Sequence, residues 1–162
     1  MPWLDLEATR EHFDTSHLRL VNDRNKALRL IEPRAVMETI LLVDDNPLRA
    51  AMRQSLLEGS APTVVRVLDA AEALCVVESP DFASKLALVI TGHVMTGISG
   101  PEFVSEFRSR IPDVPVLVMG AVTDFERGYQ GIGGVYFSQT KSPDELRALV
   151  NRLLSNGQRR TA

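Results

Sequence analysis

The sequence has 162 residues, a formal net charge of -3, 44% apolar residues and 24% charged residues. This balance is typical of a globular protein with one domain and an extension, without the basic excess that marks a nucleic-acid-binding face. No apolar stretch approaches the roughly 20 residues of a transmembrane helix, and a single cysteine excludes an internal disulfide. We therefore expect a cytoplasmic protein that binds neither nucleic acid nor membrane, with Cys75 buried as a small apolar side chain.

Residues 1–36 form an N-terminal extension that precedes the first strong strand pattern. Residues 6–31 contain many charged residues. Four apolar residues among them would fall roughly on one side of a helix: Leu18, Val21, Leu28 and Ile31. Pro33 ends this segment, because the residue before a proline disfavours helical geometry. The extension is predicted to be helical or a linker, and a helix there would serve in dimerisation or docking.

Residues 37–156 alternate short apolar strands with helices, and residues 157–162 form a tail. Strands are predicted over residues 40–43, 63–67, 86–91, 114–119 and 134–138. Helices are predicted over residues 47–58, 70–78, 101–110 and 123–130, and from Ser142 onward. The first helix carries apolar residues near helical spacing at Leu48, Met52, Leu56 and Leu57. Apolar strands without polar alternation are buried on both faces, so we predict an α/β fold with a doubly wound parallel sheet.

Five stretches of this segment carry a family resemblance. They are residues 40–47 (ILLVDDNP), 67–74 (VLDAAEAL), 88–100 (LVITGHVMTGISG), 111–119 (IPDVPVLVM) and 142–146 (SPDEL). Their order and spacing resemble the receiver domain of bacterial two-component response regulators over about three-quarters of the chain. The resemblance implies a flavodoxin-like sheet of five strands in the order 2-1-3-4-5, helices on both faces, and a role in phosphorelay signalling.

Three positions depart from the receiver pattern. The aspartate that accepts the phosphoryl group in the family aligns with Gly92, and the Thr or Ser that binds the phosphoryl oxygens aligns with Gly120. The lysine after the fifth strand aligns with Gln139, or with Lys141 if the alignment is shifted by two residues. Because glycine has no side chain, the resemblance implies that no acyl phosphate forms at residue 92.

Asp44 and Asp45 retain the acidic pair of the family, and adjacent carboxylates at a strand end suit a hard cation such as Mg²⁺. The resemblance adds the backbone carbonyl of Val94 as a ligand. Without the missing aspartate we expect weak Mg²⁺ binding at most, and no other cofactor. The pair also precedes a helix, whose N-terminus favours negative charge.

These departures predict a pseudo-receiver, which is not an enzyme and acts by protein–protein interaction. The expected partner is a signalling protein such as a histidine kinase or an output protein, and a homodimer is left open. The resemblance places the interaction face on the last two strand–helix units, around Phe125, Tyr129, Tyr136, Leu146 and Leu149.

Two alternatives to the pseudo-receiver stay open. One is an unconventional phosphoacceptor, at Asp45 or at His93. The other is a small-ligand sensor that uses the pocket emptied by Gly92 and Gly120.

Overall fold

The computed structural model describes residues 19–22, 28–31, 38–61, 63–121, 123–139 and 141–158. The chain divides into two units, Met1–Val36 and Met37–Ala162. In the part of the chain that the structure describes, no helix is long and apolar enough to cross a membrane.

The first unit contains two antiparallel strands, β1 (Arg19–Asn22) and β2 (Leu28–Ile31), with Arg19 opposite Ile31 and Asn22 opposite Leu28. The prediction of a helix is therefore wrong for these two segments. The alternation in Leu28-Arg29-Leu30 has the period of a strand, a pattern that the helical interpretation missed. The rest of the predicted helix lies outside the described residues.

The second unit is built on a five-stranded parallel sheet. Its strands are β3 (Thr39–Val43), β4 (Thr63–Val67), β5 (Leu86–Gly92), β6 (Val116–Met119) and β7 (Val135–Ser138). They lie in the order β4-β3-β5-β6-β7, which confirms the predicted order 2-1-3-4-5. The crossovers between these parallel strands contain the helices.

The helices are α1 (Pro47–Leu57), α2 (Ala70–Val76), α3 (Pro80–Ala83), α4 (Gly100–Arg110) and α5 (Pro143–Gln158). A 3-10 helix, Phe125–Tyr129, takes the place of the helix predicted over residues 123–130. The short helix α3 was not predicted. Local chemistry fixes where helices begin: the Asn46 side chain accepts a 2.9 Å hydrogen bond from the Arg49 amide, and Ser99 and Glu102 form a capping box.

Two apolar cores lie on opposite faces of the sheet. One packs α2, α4 and the 3-10 helix against the sheet, and its buried members include Leu41, Val43, Phe103 and Phe107. The other packs α1 and α5 against the opposite face, and includes Ile40, Leu42, Leu57 and Val150. Successive residues of β3 alternate between the two cores because strand side chains alternate between faces.

The packing of α1 differs from the apolar pattern of its sequence. Leu57 is buried, but Leu48 and Met52 are 73% and 66% exposed. Cys75 is exposed as well, so the prediction that it is buried is wrong. Arg49 follows Leu48 in the sequence, and Arg53 follows Met52. Both arginines lie near the carboxyl ends of the strands.

Candidate functional site

A pocket of about 370 Å³ lies at the carboxyl ends of the central strands. Its described lining consists of Arg49 and Arg53 of α1, residues 92–94, residues 119–121, residues 138 and 139, and Lys141. This is the edge at which doubly wound folds place their binding sites. The pocket therefore brings together the positions that the sequence singled out after the third, fourth and fifth strands.

Asp44 lies beneath this pocket with its side chain 1% exposed. Arg49 donates from Nε to Oδ1 and Oδ2 at 3.0 and 2.9 Å, and from Nη2 to Oδ1 at 2.7 Å. Arg53 donates from Nη1 to Oδ2 at 2.7 Å. A buried carboxylate is costly unless it is paired and hydrogen-bonded, and two guanidinium groups satisfy that condition here.

Asp45 is held from two sides. Its Oδ2 accepts hydrogen bonds of 2.9 Å from both the amide and the hydroxyl of Thr96, and its Oδ1 lies 3.2 Å from Nη2 of Arg49. The Thr96 hydroxyl is the largest influence on the pKa of Asp45, which lies below its ordinary value despite partial desolvation. Asp45 therefore stays ionised and ties the loop after β5 to the start of α1.

The two arginines respond differently to this setting. The hydrogen bonds to Asp44 raise the pKa of Arg49. Burial lowers the pKa of Arg53, and the neighbouring charge of Arg49 lowers it further, against the attraction of Asp44. Both remain cations, because an arginine pKa lies far above neutral pH.

Gly120, at the end of β6, is backed by an aromatic ring. A β-carbon on Gly120 would lie 2.7 Å from Cδ1 and Cε1 of Phe125, closer than side-chain carbons pack. Phe125 itself is 5% exposed and packs edge-on against Phe137 at 5.6 Å between ring centres. The ring thus takes the space in which a larger side chain at residue 120 would begin.

Gly92, at the end of β5, is less crowded. A β-carbon there would lie 3.2 Å from the carbonyl oxygen of Val94 and 3.6 Å from Cγ of Met95. The first of these contacts is tight, so a side chain at residue 92 requires a small adjustment of the loop.

His93 lines the pocket, but its ring packs against aromatic neighbours. The ring lies 5.1 Å from that of Phe125, and Nδ1 lies 3.0 Å from the hydroxyl of Tyr129, within hydrogen-bonding distance. Burial raises the pKa of Tyr129 well above its ordinary value, so the phenol stays protonated. One ring nitrogen of His93 is therefore engaged in a structural contact.

The predicted interaction face is largely interior. Phe125, Tyr129 and Leu146 are 5%, 2% and 5% exposed, so these three side chains lie inside the chain rather than on its surface, and the interaction face stays a prediction. They fill the cores beneath the last two strand–helix units. Tyr136 and Leu149 are half-buried and remain the accessible members of that set.

The two candidates for the lysine position, Gln139 and Lys141, both line the pocket. The structure thus brings both to the strand ends and does not separate the two alignments. Lys141 is exposed, and it forms no ion pair with a residue that the structure describes.

Comparison with known proteins identifies the family. Residues 40–150 match the response regulator receiver domain. The chain belongs to the receiver family. The match covers every described residue that lines the pocket, and all buried core residues except Leu153 and Leu154.

Individual relatives support the same assignment. This receiver is 31% identical to the transcriptional regulatory protein TcrA of Mycobacterium tuberculosis over 121 residues, which is 73% of this chain and 46% of TcrA. It is 32% identical to the response regulator protein FleR of Pseudomonas aeruginosa over 114 residues, 70% of this chain and 23% of FleR. The chain thus spans less than half the length of these relatives.

A solved structure shows the same fold. It is the signal receiver domain of an HD domain-containing protein from Pseudomonas fluorescens Pf-5, with a TM-score of 0.66 and 22% sequence identity. The similarity covers 75% of this chain and 97% of that domain.

Mg²⁺, which the receiver family implies, does not fit the residues present. Both oxygens of Asp44 and both oxygens of Asp45 already accept hydrogen bonds from arginines or from Thr96. Two guanidinium groups also stand within 3.2 Å of these oxygens, so a divalent cation would meet like charges. No group of three His, Cys, Asp or Glu side chains suited to a metal occurs among the described residues.

Arg49 and Arg53 are the site residues that sequence reasoning missed. Their four-residue spacing places both on one side of α1, directly after the acidic pair. The stronger apolar pattern of the neighbouring side chains concealed this signal. A receiver helix that follows two aspartates and carries arginines at this spacing indicates an internal ion-pair network.

Proposed function

We propose that this chain is a pseudo-receiver, which acts in a bacterial two-component pathway through protein–protein interaction and without phosphorylation. The observation that carries the proposal is the pairing of Asp44 with Arg49 and Arg53 beside a glycine at the end of β5. The guanidinium groups are hydrogen-bonded to the Asp44 carboxylate, which a metal ion would need as a ligand, and Gly92 has no side chain to act as a nucleophile.

Phosphoryl transfer depends on a positioned nucleophile and on groups that neutralise charge on the transferred oxygens. In the proposed alignment Gly92 supplies no carboxylate and Gly120 supplies no hydroxyl. Asp44 and Asp45 then serve as structural anions that anchor α1 and the loop after β5. The proposed role is therefore non-enzymatic.

The alternative acceptors are less well placed. Asp45 has both carboxylate oxygens engaged, by Thr96 and by Arg49. His93 has one ring nitrogen in contact with Tyr129 and its ring against Phe125. Neither has a neighbouring base that would activate it among its described contacts.

The proposed partner is a histidine kinase or an output protein, because receivers interact with these proteins in two-component systems. A second copy of the chain, which would form a homodimer, is the other proposed partner. The proposed location is the cytoplasm, and no role for nucleic acid or membrane is proposed. Tyr136 and Leu149 are half-buried apolar side chains on the last two strand–helix units.

Incubation with acetyl phosphate and Mg²⁺, followed by intact-mass measurement, tests the proposal. We expect no gain in mass, while a receiver with an acceptor aspartate, treated in parallel, gains one phosphoryl group. A stoichiometric gain in this chain would overturn the proposal. Digestion and mapping of the modified residue would then identify Asp45 or His93.

A further inference from the structure

α1 packs on the sheet through Ala50 and Leu57, and its side nearest the strand ends carries charge. Arg49 and Arg53 lie one helical turn apart and line the strand-end pocket. The apolar residues that precede them, Leu48 and Met52, are mainly exposed. A helix packed on a sheet normally turns its apolar side inward, so this orientation brings two cations to the pocket.

Positive charge is in excess around the pocket. Arg49, Arg53 and Lys141 are cationic, whereas the nearby carboxylates are Asp44 and Asp45. Among the described residues that line the pocket, none is acidic. Asp44, whose side chain is 1% exposed, pairs with both arginines but does not itself line the pocket, whereas Arg49 and Arg53 do.

Hydrogen-bond donors remain on these cations. Arg49 uses Nε and Nη2 for the two aspartates, and its Nη1 donates to no residue that the structure describes. Within the described part of the chain, Arg53 donates from Nη1 to Asp44 and from no other atom. Burial and the charge of Arg49 disfavour the charged form of Arg53, so an added negative charge would stabilise it.

The pocket has room for a ligand. Residues 92 and 120 contribute no side chain, and the pocket volume of about 370 Å³ falls within the range of small-molecule sites. Three cationic side chains around one cavity match a group with three charged oxygens better than a carboxylate with two. Guanidinium forks bind phosphate oxygens in pairs, and lysine supports them as a point charge.

We propose that the strand-end pocket binds the phosphate group of a small phosphorylated molecule through Arg49, Arg53 and Lys141. This proposal rests on the proposed function, because it requires that the chain has no phosphoryl acceptor. The phosphate group is then bound without forming a covalent bond to the protein. Ligand binding would give the pseudo-receiver an input other than a kinase. It would also stabilise the internal ion pairs that set the position of α1.

Titration with inorganic phosphate, at an ionic strength held constant with chloride, tests the site by calorimetry and by thermal unfolding. We expect saturable binding and a rise in Tm that chloride and acetate do not produce. Acetate binding as tight as phosphate binding would overturn the assignment of the phosphate group. A response that chloride reproduces would overturn the site itself.

Lys141→Gln is the deciding variant, because Lys141 is exposed and its loss should leave the fold intact. We expect its affinity for phosphate to fall roughly tenfold, the effect of one charge-assisted hydrogen bond. The matched control is Arg152→Gln, which removes a cation from an exposed position on α5 outside the pocket. An unchanged affinity in Lys141→Gln, or an equal loss in both variants, would overturn the proposal.

The two proposals fail in different ways. A covalent phosphoryl gain from acetyl phosphate would overturn the pseudo-receiver assignment, and would leave the calorimetric result for inorganic phosphate as it stands. Absence of phosphate binding with an unchanged mass would overturn only the pocket. Arg53→Gln is unsuited to this purpose, because it strips a partner from buried Asp44 and alters folding as well as binding.

Discussion

Arg53 donates a 2.7 Å hydrogen bond from Nη1 to Oδ2 of Asp44, a carboxylate that is 1% exposed. The arginine side chain is 21% exposed, so solvent screens this ion pair far less than one on the surface. The bond joins the second turn of α1 to the end of β3. The position of α1 therefore depends on a polar contact as well as on the burial of Leu57.

Replacing Arg53 should show how much this contact contributes. We expect Arg53→Gln to lower the free energy of unfolding by about 2 kcal/mol, because Asp44 then has only Arg49 as a charged partner. Urea unfolding monitored by circular dichroism measures the change. The control Arg152→Gln, at an exposed position, should stay within about 0.5 kcal/mol. A similarly small change in Arg53→Gln would contradict the structural role.

A side chain at residue 120 should disturb the ring behind it. Gly120→Thr places a β-carbon 2.7 Å from Phe125, so the ring or the end of β6 must move. We expect a loss of about 1–3 kcal/mol in the free energy of unfolding, as for other overpacked cores. Gly59→Thr is the matched control, since a β-carbon on Gly59 has no neighbour within 4 Å. If both variants have the same free energy of unfolding, the Phe125 ring moves aside without destabilising the fold, and the prediction is wrong.

Restoring a carboxylate at residue 92 should not restore phosphorylation. Gly92→Asp supplies a nucleophile, but the oxygens of Asp44 remain bonded to two arginines and Gly120 still lacks a hydroxyl. We expect no phosphoryl gain by intact mass after incubation with acetyl phosphate and Mg²⁺. Circular dichroism verifies that the variant is folded. A stoichiometric gain would mean that the glycine alone blocks the reaction.

Asp45 should make stability depend on pH at the acidic end. Its folded pKa lies below the ordinary value of 3.8, chiefly because of the Thr96 hydroxyl. The carboxylate thus contributes stability that is fully present above about pH 4 and is lost as pH falls through the folded pKa. The gap in Tm between the natural chain and Asp45→Asn should narrow as the pH falls below about 4. A gap that stays constant would assign the stabilisation to something other than ionised Asp45.

The fold was predictable because its strands are short and largely apolar runs, which few arrangements can bury. Ile40 and Leu42 enter one core while Leu41 and Val43 enter the other, as a strand covered on both faces requires. The two strands of the first unit were mistaken for a helix because four apolar residues at near-helical spacing outweighed a short alternation.

The charge of the site was harder to predict. The prediction for α1 used only the spacing of its apolar residues, among which Leu48 and Met52 were the most evident pair. It takes no account of the free-energy cost of burying Asp44 without a partner, a cost that Arg49 and Arg53 reduce by pairing with it. Likewise, Gly120 indicated a missing hydroxyl, but sequence spacing gives no sign that Phe125 lies behind it.

The contact between Gly120 and Phe125 also bears on evolution. A single codon change that introduces threonine at residue 120 meets an occupied space, and a single change that shrinks Phe125 opens a cavity in a core. Each change alone is therefore expected to lower the free energy of unfolding, whereas a smaller residue at 125 would make room for a larger one at 120. The ring thus couples the two positions, so that a larger residue at 120 requires a smaller one at 125.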